Sequence, residues 1–276
     1  LNLPIDLITK NSKKYNFDSI ISSNDSSIFN YFPNSNKFLW MHNPLQIEKS
    51  IRKKQFFSIL KNKPTVIFVS DYLNNITSKM YPFKTRHMIP NFLSSDFIIK
   101  VPPIKREPIF VWSVQRSKGL ADTIKMWIEK IYPTSKKAKF YILGMNKLDQ
   151  KYNIKFLKSK NIIFLGRLPK NKLKEIYMKS TAMICLGYDE TFCLNALEAN
   201  SCGLPVITFG KTALNELIKD NFNGFIVKNF KQLSSKIIFL LNLNIPKKKI
   251  FINNSIFNSK RYSPDNIIYH WLKLLK

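Results

Sequence analysis

From residue 109 onward, short apolar runs and amphipathic stretches follow one another in close succession. The runs 109–113, 139–143, 162–165, 182–186 and 205–209 have strand length, and 120–131, 172–180 and 193–201 have helical spacing. Short runs that stay apolar at successive positions suit strands covered on both faces, and parallel strands need helical crossovers between them. The alternation therefore predicts layered α/β architecture with a parallel sheet, a Rossmann-like unit. In the N-terminal part 19–22, 38–41 and 66–69 read as strands, each followed by polar, helix-compatible sequence. With 276 residues, 45% of them hydrophobic, there is room for two modest domains or one large one. Val101-Pro102-Pro103 and Pro108 mark a composition shift that reads as an extended connector. The expected organisation is a first domain over 1–100, a linker over 101–108, a second domain over 109–258 and a terminal helical segment over 259–276. Ser263-Pro264-Asp265 opens that last helix, and Pro suits a helix start.

Two carboxylates, Glu190 and Glu198, stand seven residues apart in a chain with 17 acidic residues against 45 lysines and arginines. Glu190 follows the point where the run 182–186 breaks at Gly187, and Glu198 lies inside a short helix expected to end at Gly203. A helix start offers unpaired backbone N–H groups and the positive end of a dipole to phosphate. Carboxylates beside it are suited to holding hydroxyl groups, and a sugar nucleotide carries both chemistries. All seven glycines lie at or after Gly119. Close approach of backbone to phosphate usually relies on glycine, so the phosphate site is expected in the C-terminal half.

The remaining composition narrows the classes. A net charge of +28 attracts phosphate-bearing ligands, anionic lipid headgroups and nucleic acid. A+T-rich codon usage accounts for many lysines, though not for the shortage of acids. No basic stretch interleaved with aromatics, no zinc spacing and no recognition-helix pattern occurs, so nucleic acid is not an expected partner. No apolar run has the length of a spanning helix. Cys185, Cys193 and Cys202 are an odd number clustered near the two carboxylates, which argues against a disulfide framework and for a reducing, cytoplasmic setting. The first residues show no charged leader or cleavage site.

The stretch ETFCLNALEANSCGLPVI from Glu190 to Ile207 resembles the E-x7-E element of retaining GT-B glycosyltransferases, the large family 4 (GT4) group. NIIFLGRLPKNKLKEIY from Asn161 to Tyr177 is similar to that family's strand, G-R-L turn and helix. Asn215-Glu216-Leu217-Ile218 with Asn221-Phe222-Asn223-Gly224 is similar to its E-L-I-x-D-G-x-N-G signature. Together the matches cover roughly residues 109 to 230 in the family's order. The resemblance implies two Rossmann-like domains facing a cleft. It also implies transfer of a hexose or related sugar, with retention, from a UDP- or GDP-linked donor to a hydroxyl on a glycan or lipid-linked acceptor. No metal is expected, since no Asp-x-Asp motif is present and a cationic turn would take its place. Contact with an anionic membrane, at the inner face, joins the expected partners.

Residue by residue, the resemblance gives Arg116 and Lys118 the neutralisation of the donor diphosphate. Glu198 would hold the nucleotide ribose and Glu190 the donor sugar. Thr191, Phe192, Cys193, Leu194 and Asn195 would turn backbone N–H groups toward phosphate and sugar, and His42 would sit near the donor sugar at the end of a strand. Plainer readings stand beside these: a solvated basic turn, an N-cap and a surface Glu, and a hydrogen-bonded turn histidine. For Cys193 the plainer reading is a buried small residue, because no histidine lies near it to make a nucleophile. The chain departs from the pattern in three places. Ser113 replaces the family's usual Arg, Cys193 stands where Gly is common, and Phe92-Leu93 replace Gly-Val after Ile89-Pro90-Asn91. The family's glycine-rich loop after its first strand has no counterpart and residue 1 is Leu, so a truncated or naturally reduced first domain is expected. Two alternatives remain open: an epimerase or phosphorylase on the same fold, and a reduced homologue that binds nucleotide sugar or membrane as an accessory subunit.

Overall fold

The structure is a computed structural model that describes residues 16–99, 102–145 and 152–275. The expected N-terminal leader region and Val101 fall outside them. Among the described residues the strands form two wholly parallel sheets. In the first, β1 (Ser19–Ser23), β2 (Asn36–Met41), β3 (Thr65–Phe68) and β4 (Arg86–Met88) lie side by side in chain order. The second comprises β5 (Ile109–Trp112), β6 (Lys139–Leu143), β7 (Ile162–Gly166), β8 (Ala182–Ile184), β9 (Val206–Thr208) and β10 (Gly224–Ile226), in the order β10-β9-β8-β5-β6-β7. Every residue of β3, β5, β8 and β9 is buried, which is why these segments read as unbroken apolar runs.

The strand order of the second sheet is the doubly wound one. Chain direction reverses across it between β5 and β8, which pair directly with each other. Loops leaving the carboxyl ends of two strands at such a switch point diverge and leave a crevice for ligand. Three-residue strands β4 and β10 were not anticipated. At that length no periodicity is visible, and each is a strand because an established neighbour supplies a ladder. The helix expected over 120–131 begins as Leu120–Met126 and continues through the wider π-type turn Trp127–Ile131, with Trp127 and Ile131 both fully buried.

The chain divides into two compact units. One runs up to Asn91 and takes in the chain from Ile267 onward; the other is Phe92–Asn266. The division thus falls ahead of the proline-rich stretch, for a local reason. The Leu93 N–H donates to the Tyr262 carbonyl at 2.7 Å, Phe97 packs on Tyr177 with centroids 6.4 Å apart, and Asp96 meets Lys170 at 2.6 Å. Arg106, inside the stretch read as a connector, donates to the carbonyls of Tyr177 (2.9 Å), Met178, Cys202 (2.9 Å) and Gly203 (3.3 Å). Its one guanidinium thereby closes the C-terminal ends of two helices, Lys170–Lys179 and Leu194–Ser201. In the first unit the last helix, Pro264–Leu275, sends Ile267 into a core with Phe38, Ile67 and Ile89, flanked by Trp40, Trp271 and Leu274.

Candidate functional site

After β5 the chain passes through the buried Ser113 into a 3₁₀ turn, Arg116–Lys118, and enters the helix Leu120–Met126 through Gly119. After β8 it runs through Cys185 and Leu186 into a loop that ends at the helix Leu194–Ser201. These two loops flank the switch point, and they touch. A Cβ on Gly119 would lie 2.7 Å from both Leu186 and Tyr188, so only glycine allows the approach, and its φ of +99° favours glycine as well. The approach carries Lys118 onto the second loop. Its Nζ lies 2.9 Å from a Glu190 carboxylate oxygen and donates to the Asp189 carbonyl at 3.3 Å. Both side chains are mostly shielded, at 16% and 13% exposure.

The helix itself starts at Leu194, with Cys193 as its cap residue in the left-handed region, φ +73°. Cys193 makes no side-chain capping bond and the first turn holds no acidic residue. The leading N–H groups of a helix have no carbonyl partner within it. Here the side chains leave that end electropositive, next to Lys118. Thr191 is half-buried, Phe192 is buried against Tyr262 and Leu194 is exposed. The Asn195 amide donates to the Ser113 carbonyl, fixing the helix start to the end of β5. The position that would carry a cation in the resembled family is therefore a buried serine whose carbonyl accepts from Asn195.

Glu198 is half-buried one turn further along, and burial raises its carboxyl from the usual 4.5 to about 7. Lys170 works against that rise and Asp96 with it. A carboxylate poised to titrate near neutrality beside a helix N-terminus is suited to accept hydroxyl donors from a ligand that replaces its lost water.

The structure thus brings together Lys118, Glu190, Thr191, Phe192, Cys193, Leu194, Asn195 and Glu198 within the second unit, and Arg116 opens the same turn as Lys118. His42 lies in the first unit, just past the end of β2. Its ring packs on Trp40 at 4.4 Å, its backbone N–H donates to Asn24 Oδ1 at 2.8 Å, and burial lowers its pKa. Sequence reading missed two contributors. Lys170 sets the electrostatics of Glu198, and Thr212 lies beside Gly187 with a buried hydroxyl that has no hydrogen-bond partner among the described residues. The only signal for Lys170 was its place just after Pro169 at a helix start; Thr212 carried none.

Comparison with known proteins gives a consistent picture. The family model for glycosyl transferases group 1 matches residues 94–256, more than half of the chain. The poly(glycerol-phosphate) alpha-glucosyltransferase of Bacillus subtilis (strain 168) is 26% identical over 232 residues, which are 80% of this chain and 34% of that protein. Among solved structures, Staphylococcus aureus TarM in complex with fondaparinux, α-GlcNAc-glycerol and UDP superposes with a TM-score of 0.78 at 20% identity, over 99% of this chain and 59% of TarM. The pneumococcal O-GlcNAc transferase GtfA, in complex with UDP and GlcNAc, gives 0.76 at 17% identity, over 98% of this chain and 59% of GtfA. The fold is GT-B, and the chain spans less than two thirds of each of these relatives.

Proposed function

The chain belongs to the glycosyl transferases group 1 family, and from that premise we propose that it moves a hexose from a UDP- or GDP-linked donor to a hydroxyl of a glycan or lipid-linked acceptor, with retention and without a metal. One observation carries the reading. Lys118 and Glu190 meet across the switch point of the doubly wound sheet, beside a helix N-terminus that no side chain caps. UDP accompanies both TarM and GtfA, which favours a UDP-sugar.

The geometry suggests a division of labour. When the nucleoside diphosphate departs, negative charge builds on its outer phosphate. Lys118, the basic turn from Arg116, and the N–H groups from Thr191 to Asn195 are already oriented and largely withdrawn from water, so they stabilise that charge without reorganising. Glu198 accepts the ribose hydroxyls. Glu190 holds Lys118 in place before donor arrives and orients sugar hydroxyls afterwards, while His42 serves the donor sugar from the first unit. The net charge of +28 draws the donor in and suits peripheral contact with an anionic membrane. Among the described residues no helix is long and apolar enough to cross one. A cytoplasmic setting agrees with three buried free thiols.

A second reading has its own support: Ser113, buried and tied to Asn195, supplies no cation where the family carries one. A reduced homologue that binds donor to assist a partner would look like this. The test is release of UDP from UDP-glucose and UDP-GlcNAc with and without a glycerol-phosphate or glycan acceptor. Acceptor-dependent release supports transfer. Saturable UDP binding with no release under any acceptor would replace it with the accessory role.

A further inference from the structure

The loop from β8 to the helix Leu194–Ser201 holds a second constellation that sugar transfer does not use. Cys185 is fully buried and Cys193 is 8% exposed, with their sulfur atoms 3.7 Å apart. A Glu190 carboxylate oxygen joins them, all three donor atoms lying within 4.8 Å of one another. Two thiolates on one tetrahedral Zn²⁺, each at about 2.3 Å, stand about 3.8 Å apart, so the sulfurs already have the spacing a shared ion requires. Ordinary packing of two thiols gives a similar distance. What packing does not provide is a carboxylate as third neighbour, or the direction in which Cys193 points. That direction depends on a left-handed backbone, φ +73°, which a residue with a Cβ adopts at a cost. The Gly187 N–H also faces the Cys185 sulfur and favours its thiolate, against the upward pull of the Cys193 contact and of burial.

We propose that Cys185, Cys193 and Glu190 form a binding site for a thiophilic divalent cation of the Zn²⁺ or Cd²⁺ kind, and that the ion competes with Lys118 for Glu190. Binding replaces two thiol protons, which leave to solvent, and draws the Glu190 carboxylate from the Lys118 ammonium 2.9 Å away. No electron changes hands. Three protein donors leave a fourth tetrahedral position for water. Because the ion displaces protons, its affinity rises with pH. The site goes beyond the transferase reading, in which no metal takes part.

The experiment is a Cd²⁺ titration of the reduced full chain, followed by thiolate-to-cadmium charge-transfer absorption, with neither nucleotide nor acceptor present. One saturating band per chain is expected. Cys193→Gly should abolish it, and glycine suits the φ of that position, so this variant keeps the fold where a change at the fully buried Cys185 risks losing it. Cys202→Ala should leave the band intact. Glu190→Gln should weaken Cd²⁺, and Lys118→Met should tighten it by about tenfold, the scale of outer-shell effects on metal affinity. A wild type without a saturable band, a band that survives in Cys193→Gly, or weaker binding in Lys118→Met would overturn the proposal. The readout involves no sugar transfer, so it stands or falls apart from the reading above.

Discussion

Glu198 is the residue whose surroundings say most about what it does. Its carboxyl is raised from 4.5 to about 7 by burial, so the native state holds this proton more tightly than the unfolded chain does. The stability it contributes is therefore fully present below pH 4.5 and is lost as pH rises through about 7. Replacing it by the uncharged isostere, Glu198→Gln, should raise stability by about 1–3 kcal/mol above pH 7 and leave it unchanged below about pH 4.5, measured by urea unfolding at both values. Nucleotide binding should show the opposite preference. Ribose hydroxyls donate best to the ionised form, so UDP affinity is expected to climb as pH passes about 7 in the wild type and to follow a flatter course in Glu198→Gln, by calorimetric titration. A gain in UDP affinity in that variant at pH 8 would remove Glu198 from the ribose. For Lys118 the expectation is kinetic: Lys118→Ala should lower the transfer rate by about 10²–10³-fold, the usual loss when one fixed stabiliser of transition-state charge is deleted.

At the scale of elements, the loops work because strands and helices are held at their far ends. Arg106 closes the C-termini of the helices Lys170–Lys179 and Leu194–Ser201, whose N-terminal halves carry Lys170 and Glu198. Arg106→Met strips a charged donor from four buried carbonyls and should cost at least about 3 kcal/mol in chemical denaturation. It should also weaken UDP binding, because both helices lose the contact that sets their angle. Gly224 in β10 is a second fixed point: a Cβ there would stand 2.1 Å from the Val206 carbonyl oxygen, inside the β9–β10 ladder. Gly224→Ala should therefore destabilise the edge of the sheet by about 3 kcal/mol or more. Neither role was legible in the sequence. The arginine lay in a proline-rich stretch that looked like a connector, and the glycine belonged to a signature whose strand is only three residues long.

At the scale of the molecule, the chain's end completes its beginning. Ile267, 3% exposed, packs with Phe38, Ile67 and Ile89, so Ile267→Ala should cost about 2–5 kcal/mol in the first unit. Earlier thermal unfolding or faster proteolysis near residues 16–91, with the second unit unchanged, is the expected signature. The sequence by itself determined the strand and helix alternation from 109 onward, because parallel strands buried on both faces must be apolar throughout. It also determined the neighbourhood of Glu190 and Glu198, because a helix start and its flanking loop are local. Which strands are neighbours, and so which loops meet, was decided only in three dimensions. The order β10-β9-β8-β5-β6-β7 sets the loop after β5 against the loop after β8 and brings Lys118 to Glu190. The same tertiary packing withdrew water from Glu198 and set two cysteines 3.7 Å apart. Strand pairing, desolvation and side-chain juxtaposition depend on residues distant in the chain, and no local pattern encodes them.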